Sequence, residues 1–308
     1  MTLAAPMHAD HPVRRALPLV FFAGLCFSTL DATAKFLIQD HALFLVVWAR
    51  YAGQFLVVIP IAWHRAGRGF WRTRHLRMQL LRSLCLVSAT ACFFGGLRFL
   101  PLAEGSAISF LAPMFAIVLS RPVLGERPTR ARWAAAIAGF VGIVILVRPG
   151  SAVFHPATLL LVGAAVSNAL YQLLTRRLPN DSPYTTLFYT AMVGTVLLSV
   201  GLPMMLVPLP APTPRDVQFF VLLGVLAGVG HWMFITAFLR APASLLAPFT
   251  YVQMIWATAY GWAIFDQLPD RLSAFGMAVI VASGVALVLH ERRRVMVPEA
   301  IVSPPARR

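Results

Sequence analysis

Charge is what this chain has least of. Asp, Glu, Lys and Arg make up 12% of its 308 residues, against roughly 25% in a soluble domain, so water is not the solvent of most of its surface. Acids are the scarcer sign, eleven against twenty-six Lys and Arg. Such scattered carboxylates speak against a membrane-embedded enzyme such as a lipid-modifying transferase, which needs acids or His clustered at the bilayer surface. Cysteine is also sparse. Cys26, Cys85 and Cys92 lie inside apolar segments, without the paired spacing of a zinc or redox motif, and read as small hydrophobes. No nucleotide-binding loop occurs, so ATP-driven pumping has no support. Neither a metal nor a cofactor is expected.

What is present is apolar: 59% of the chain, with a mean hydropathy of +0.75. Runs near 20 residues recur, each long enough to cross a hydrocarbon core of about 30 Å as a helix. The pattern predicts ten spans: 17–37, 42–63, 79–99, 103–124, 132–147, 157–174, 183–208, 217–239, 245–265 and 272–290. The first is too long for a signal-peptide core and carries Asp31 and Lys35, so it reads as a retained helix.

The net charge of +15 could suggest nucleic acid, but its placement does not. Nearly all the Arg sit in short links, leaving no soluble face to track phosphates. With the N-terminus cytoplasmic, the inner links and tail hold eighteen Arg, among them Arg65, Arg68, Arg72, Arg74, Arg77, Arg127, Arg130 and Arg132. The outer links hold four: Arg98, Arg148, Arg215 and Arg271. The positive-inside rule then puts both termini in the cytoplasm of a cell with an inner membrane. The link 65–77, with Phe70 and Trp71 among its Arg, reads as a loop facing anionic lipid.

The chain also repeats itself. Gly105–Glu126 aligns with 245–266, Leu111-Ala112-Pro113-Met114 falling on Tyr251-Val252-Gln253-Met254. A Gly-bearing helix follows in each half, at Gly139 to Val144 and at Val281 to Ala286. Five spans per half invert the second copy, as the charge of the two matching links requires. The expectation is an all-α membrane protein of ten helices in two inverted repeats, 17–150 and 151–290, between cytoplasmic segments 1–16 and 291–308. Inverted repeats place a substrate site near the midplane, where matched helices are interrupted.

Four local patterns carry a resemblance: Phe27-Ser28-Thr29-Leu30-Asp31-Ala32-Thr33-Ala34-Lys35, Trp48-Ala49-Arg50-Tyr51, Pro113 with Gly125-Glu126-Arg127, and Tyr251-Val252-Gln253. In these the chain resembles the drug/metabolite transporter superfamily in its EamA-type ten-helix form, over residues 17–290. That resemblance implies alternating access around a central cavity lined from spans 1, 3, 4, 6, 8 and 9. It is nearest to bacterial transporters of S-adenosylmethionine, riboflavin and amino-acid-related solutes. The implied function is secondary transport of a small polar metabolite, proton-linked if coupled; a lipid-modifying enzyme or a non-transporting scaffold is the rival.

Intramembrane charge is costly and marks function or a structural pair. Asp31 and Lys35 share a helix face, either as a coupling pair or with Lys35 snorkelling. Arg50 needs a partner, and Asp31 is the obvious one, as a staple or as a pair broken in transport. Arg82 reads as snorkelling to headgroups. Arg98 and Glu104 flank an outer turn and read as paired, unless Glu104 takes up protons at a gate. Ser167, Asn168, Tyr171 and Gln172 form a polar stretch in span 6, with Asn168 and Tyr171 as cavity candidates against helix-packing roles. His231 and Trp232 in span 8 offer gating or stacking, or an interhelical hydrogen bond. Pro113 and Pro248 interrupt the matched spans 4 and 9, and Tyr251, Gln253 and Trp256 beside the second suit a planar or amino-acid-like ligand, or simply pack. Glu126 and Asp266 read as caps of the following helices.

Overall fold

A computed structural model describes residues 10–151, 154–178, 181–201, 212–241, 246 and 249–296, and every regular element among them is a helix. In hydrocarbon the backbone must satisfy itself, and a helix does so within one segment. The elements are α1 (Asp10–Asp40), α2 (Leu43–Ala66), α3 (Leu76–Leu97), α4 (Leu102–Ser109), α5 (Ala112–Leu124) and α6 (Arg130–Val147). The second half supplies α7 (Thr158–Arg176), α8 (Pro183–Gly201), α9 (Pro214–Arg240), α10 (Val252–Phe265) and α11 (Arg271–Met296). Among the described residues nine helical stretches are long and apolar enough to cross a membrane, α4 and α5 counting as one. α10, with helical residues 249–250 ahead of it, supplies the tenth.

The fourth span is broken where Pro113 withholds the amide that would bond Ser109. The backbone tightens instead to three-residue steps, Phe110 N–H to Ala107 and Leu111 N–H to Ile108, at 3.1 and 3.0 Å. Met114 N–H then bonds Leu111 at 2.9 Å, and Met254 N–H bonds Tyr251 at 3.0 Å in the matching place of the second repeat. The two breaks meet: Phe110 stacks on Tyr251 with ring centroids 4.7 Å apart. Pro248 lies outside the described residues.

Packing follows the inversion. α1 lies along α9 as α3 lies along α7, while α2 packs on α8 and α6 on α11 across the pseudo-twofold. With lipid as apolar as Leu, close backbone approach has to supply the attraction between helices. At the α2–α9 crossing a side chain on Gly53 would put its Cβ 2.6 Å from Gly224 Cα. At the α6–α11 crossing one on Gly142 would come to 2.9 Å from the Gly276 carbonyl.

Both ends of the α6–α11 pair are closed by ion pairs, each with its Arg from the α6 side and its acid from the α11 side. Arg132 bonds Glu291 at 2.6 Å at the Arg-rich end, and Arg148 bonds both oxygens of Asp270 at the Arg-poor end, Oδ2 at 2.6 Å. Asp270 also caps α11, accepting from Ser273 N–H at 2.7 Å, as Thr129 caps α6. The caps are therefore Thr129 and Asp270, not Glu126 and Asp266. Glu126 pairs with Arg176 at 3.2 Å; Asp266, at φ 52°, ends α10 in the left-handed conformation that Gly125 adopts after α5.

The hydrogen bond from Arg148, then the Ser273 amide, holds the Asp270 carboxyl well below the usual carboxylate range. A depressed folded-state pKa contributes stability above the unfolded value, about 4, and the contribution fades as pH falls below it toward the folded value. Asp270→Asn should thus lower the melting temperature at pH 7 and lower it less near pH 2. An equal loss at both pH values would show that the charge is not what closes this end.

Candidate functional site

Polar groups lie mid-span on α1, α2 and α10, where the charge of Arg50 reaches Asp31 and Asp31 meets Gln253. α2 has 24 residues, so Gln54 stands near its middle with Arg50 one turn, about 5 Å, along the axis. Arg50 is 6% exposed and Gln54 0%. The Arg50 guanidinium lies over the Tyr51 ring, 4.5 Å from its centre, and the Tyr51 hydroxyl meets Thr90 Oγ1 at 3.0 Å. Arg50 Nε and Nη1 and both amide atoms of Gln54 are buried without hydrogen-bond partners. Each uncompensated polar group of this kind costs about 1–3 kcal/mol, more when charged.

Facing them, Asp31 on α1 accepts from Gln253 Nε2 at 3.3 Å, and Ser28 Oγ donates to the Gln253 carbonyl at 2.9 Å. Gln253 occupies the position of Pro113 in the first repeat, so the break in α10 carries a side-chain amide where the break before α5 carries a ring. Arg50 acts electrostatically on Asp31, yet no ion pair within 4 Å joins them, and the expected direct pairing is corrected. His231 on α9 bonds the Ala227 carbonyl through Nδ1 at 2.8 Å, with Phe27 edge-on at 4.9 Å and the charge of Arg50 acting on it.

Arg82 is not a snorkelling residue. It is 0% exposed and joins three helices: Nε donates to Thr175 at 2.9 Å, and Nη1 to the Thr186 carbonyl at 3.0 Å and to Thr190 at 3.2 Å. Its guanidinium lies 4.5 Å from the Tyr171 ring centre, so Tyr171 faces a buried cation toward the Arg-rich end. Asn168 is half-buried one turn before it on α7.

The remaining candidates lie elsewhere. Lys35 does not pair with Asp31; its ammonium donates to the Leu97 and Leu100 carbonyls at 2.8 and 2.5 Å, satisfying groups left open at the end of α3. Glu104 accepts from Ser273 Oγ at 2.9 Å beside the Arg148–Asp270 pair, and exposed Arg98 pairs with no acid among the described residues. Tyr251 fills the space beside Gly284 and borders an apolar groove of about 420 Å³ lined also by Met254, Met277 and Val281. Trp256 packs on Phe21 at 5.5 Å, and the indole nitrogens of Trp232 and Trp256 are buried without partners. Pro113 starts α5, as the break requires. Sequence reasoning missed Gln54; its one signal was the four-residue step from Arg50 on the same face.

The model of the EamA-like transporter family matches residues 14–148 and again 155–289. Among curated proteins the chain is similar to a riboflavin transporter of Vibrio cholerae, 29% identical over 92% of this chain and 96% of that one. It is also similar to an S-adenosylmethionine uptake transporter of Rickettsia prowazekii, 24% identical over 89% of this chain and 92% of the relative. A solved crystal structure superimposes with a TM-score of 0.66 over 92% of this chain and 99% of its own, at 21% identity, a likeness of fold.

Proposed function

Because this chain belongs to the EamA-like transporter family, we propose that it carries a small polar metabolite across the inner membrane by alternating access, its termini and Arg-rich links in the cytoplasm. The observation that carries the reading is the unpartnered polar edge of Arg50 beside the Asp31–Gln253 contact, at the level where the two helix breaks meet. Inverted-repeat carriers bind solute at such interruptions. A scaffold has no use for buried donors that nothing satisfies. The relatives' substrates, S-adenosylmethionine and riboflavin, set the range to be tried. The Arg of the link 65–77 sit against anionic headgroups, where Phe70 anchors the link by packing on Phe188 at 4.9 Å.

Asp31 is the one buried carboxylate among the described residues, and it is the group that couples transport to protons. Purified protein in liposomes should take up S-adenosylmethionine or riboflavin, faster with an imposed pH gradient. Asp31→Asn should lose the response to the gradient and, because the residue also lines the site, lower uptake of the solute. Wild-type uptake that ignores the gradient would remove the coupling role; absence of uptake for any solute would remove the transport reading.

A further inference from the structure

Gln54 is the group the transport reading leaves unexplained. It is fully buried at mid-helix with neither amide atom satisfied, in a segment where Leu or Val would fill the space without penalty. The α2 residues around it are otherwise spoken for: Gly53 meets Gly224 on one side, and Tyr51 meets Thr90 on the other. Gln54 and Arg50 share the face between those two contacts, one turn apart. Together they offer the guanidinium Nε and Nη1 and an amide nitrogen, all unpaired, with no carboxylate within 4 Å of the guanidinium among the described residues.

Such a row of donors is complementary to the oxygens of an anionic or strongly accepting group, and charge-assisted hydrogen bonds to a carboxylate are the strongest of that kind. Asp31, which the Arg50 charge reaches, supplies the opposite sign on α1, held by Gln253. Two centres of opposite charge, facing one interior but not neutralising each other directly, fit a ligand that carries both charges.

We propose that Arg50 and Gln54 bind the carboxylate of the transported solute while Asp31 and Gln253 take its ammonium group, so that the substrate class is a zwitterionic, α-amino-acid-bearing metabolite. This rests on the transport reading and sharpens it. Of the two chemistries borne by the relatives, it selects the S-adenosylmethionine type, which has an amino-acid head, over riboflavin, which has none.

The test is uptake into proteoliposomes of matched pairs: S-adenosylmethionine against its decarboxylated form, methionine against methioninamide, and riboflavin as a solute without a carboxylate. The carboxylate member of at least one pair should be transported, its partner at least about tenfold less well, a difference of about 1.4 kcal/mol. Gln54→Leu should raise KM for that solute with a smaller change in maximal rate, and should melt no lower than wild type, because an apolar side chain replaces an unsatisfied amide. A lower melting temperature with unchanged KM would assign Gln54 to structure and overturn its role. Transport of riboflavin, or of both members of a pair alike, would overturn the substrate class and leave the transporter standing. No transport of any solute would overturn both.

Discussion

Gly224→Val should fail to assemble the α2–α9 crossing. Two effects oppose each other at this position. Glycine inside a helix costs about 1 kcal/mol relative to Ala, so by propensity alone a side chain would help. A Cβ on Gly224, however, would stand 2.7 Å from the Gly53 carbonyl carbon and 3.2 Å from the Gln54 amide. Those neighbours are backbone and cannot rotate away; the helices must part, which for overpacking costs typically 1–3 kcal/mol and sometimes more. The clash wins, at about 3 kcal/mol for the branched side chain. It also displaces Gln54 and Arg50, so uptake should fall with stability. Gly163→Ala is the control, since its Cβ would meet only Cys92 Sγ, at 4.0 Å. Thermal melts in detergent should show a large drop for the first variant and none for the second; equal melting temperatures would mean that the crossing tolerates separation.

Arg50→Met should separate function from stability in the other direction. The guanidinium is buried with two unpaired nitrogens, so replacing it by a side chain of similar length removes a desolvated charge, while Tyr51 loses a hydrogen bond and the buried Asp31 loses the nearby positive charge. Losing the desolvated charge stabilises and leaving Asp31 without it destabilises; the two effects oppose each other, and the melting temperature should change little. Transport should fall about 100-fold, because losing a charged contact to a buried ligand group costs about 2–5 kcal/mol. Uptake within twofold of wild type would place the substrate away from α2. A collapse in stability would mean that Arg50 holds the helices together, as Arg82 does with its four neutral acceptors on α3, α7 and α8.

Arg50, Arg82 and Lys35 show how far one sequence reaches. All three are cations in apolar runs, and the expectation treated them by one rule: find an acid or snorkel. None does either. Lys35 finds two carbonyls more than sixty residues away, Arg82 finds hydroxyls and a carbonyl on helices of the other repeat, and Arg50 is left with donors to spare. The acceptors were invisible because backbone carbonyls and threonines occur in every span, and only packing decides which are within reach. Gln54 was overlooked for a related reason: an amide in an apolar run carries no periodic signal, and its meaning lies in having no partner.

The sequence alone determined the solvent, the ten crossings, the inverted repeat and the break at Pro113, because hydropathy, link charge and a missing amide are properties of the chain read along its length. Tertiary structure decided which buried groups are satisfied. α2 and α9 close at Gly53 and Gly224, Lys35 is spent on the end of α3, and Asp31 turns to Gln253 rather than to Arg50. Hydrogen-bond satisfaction in a dry interior is a property of neighbours in space. For this protein it is on that accounting, with Arg50 and Gln54 left open, that the proposed binding edge rests.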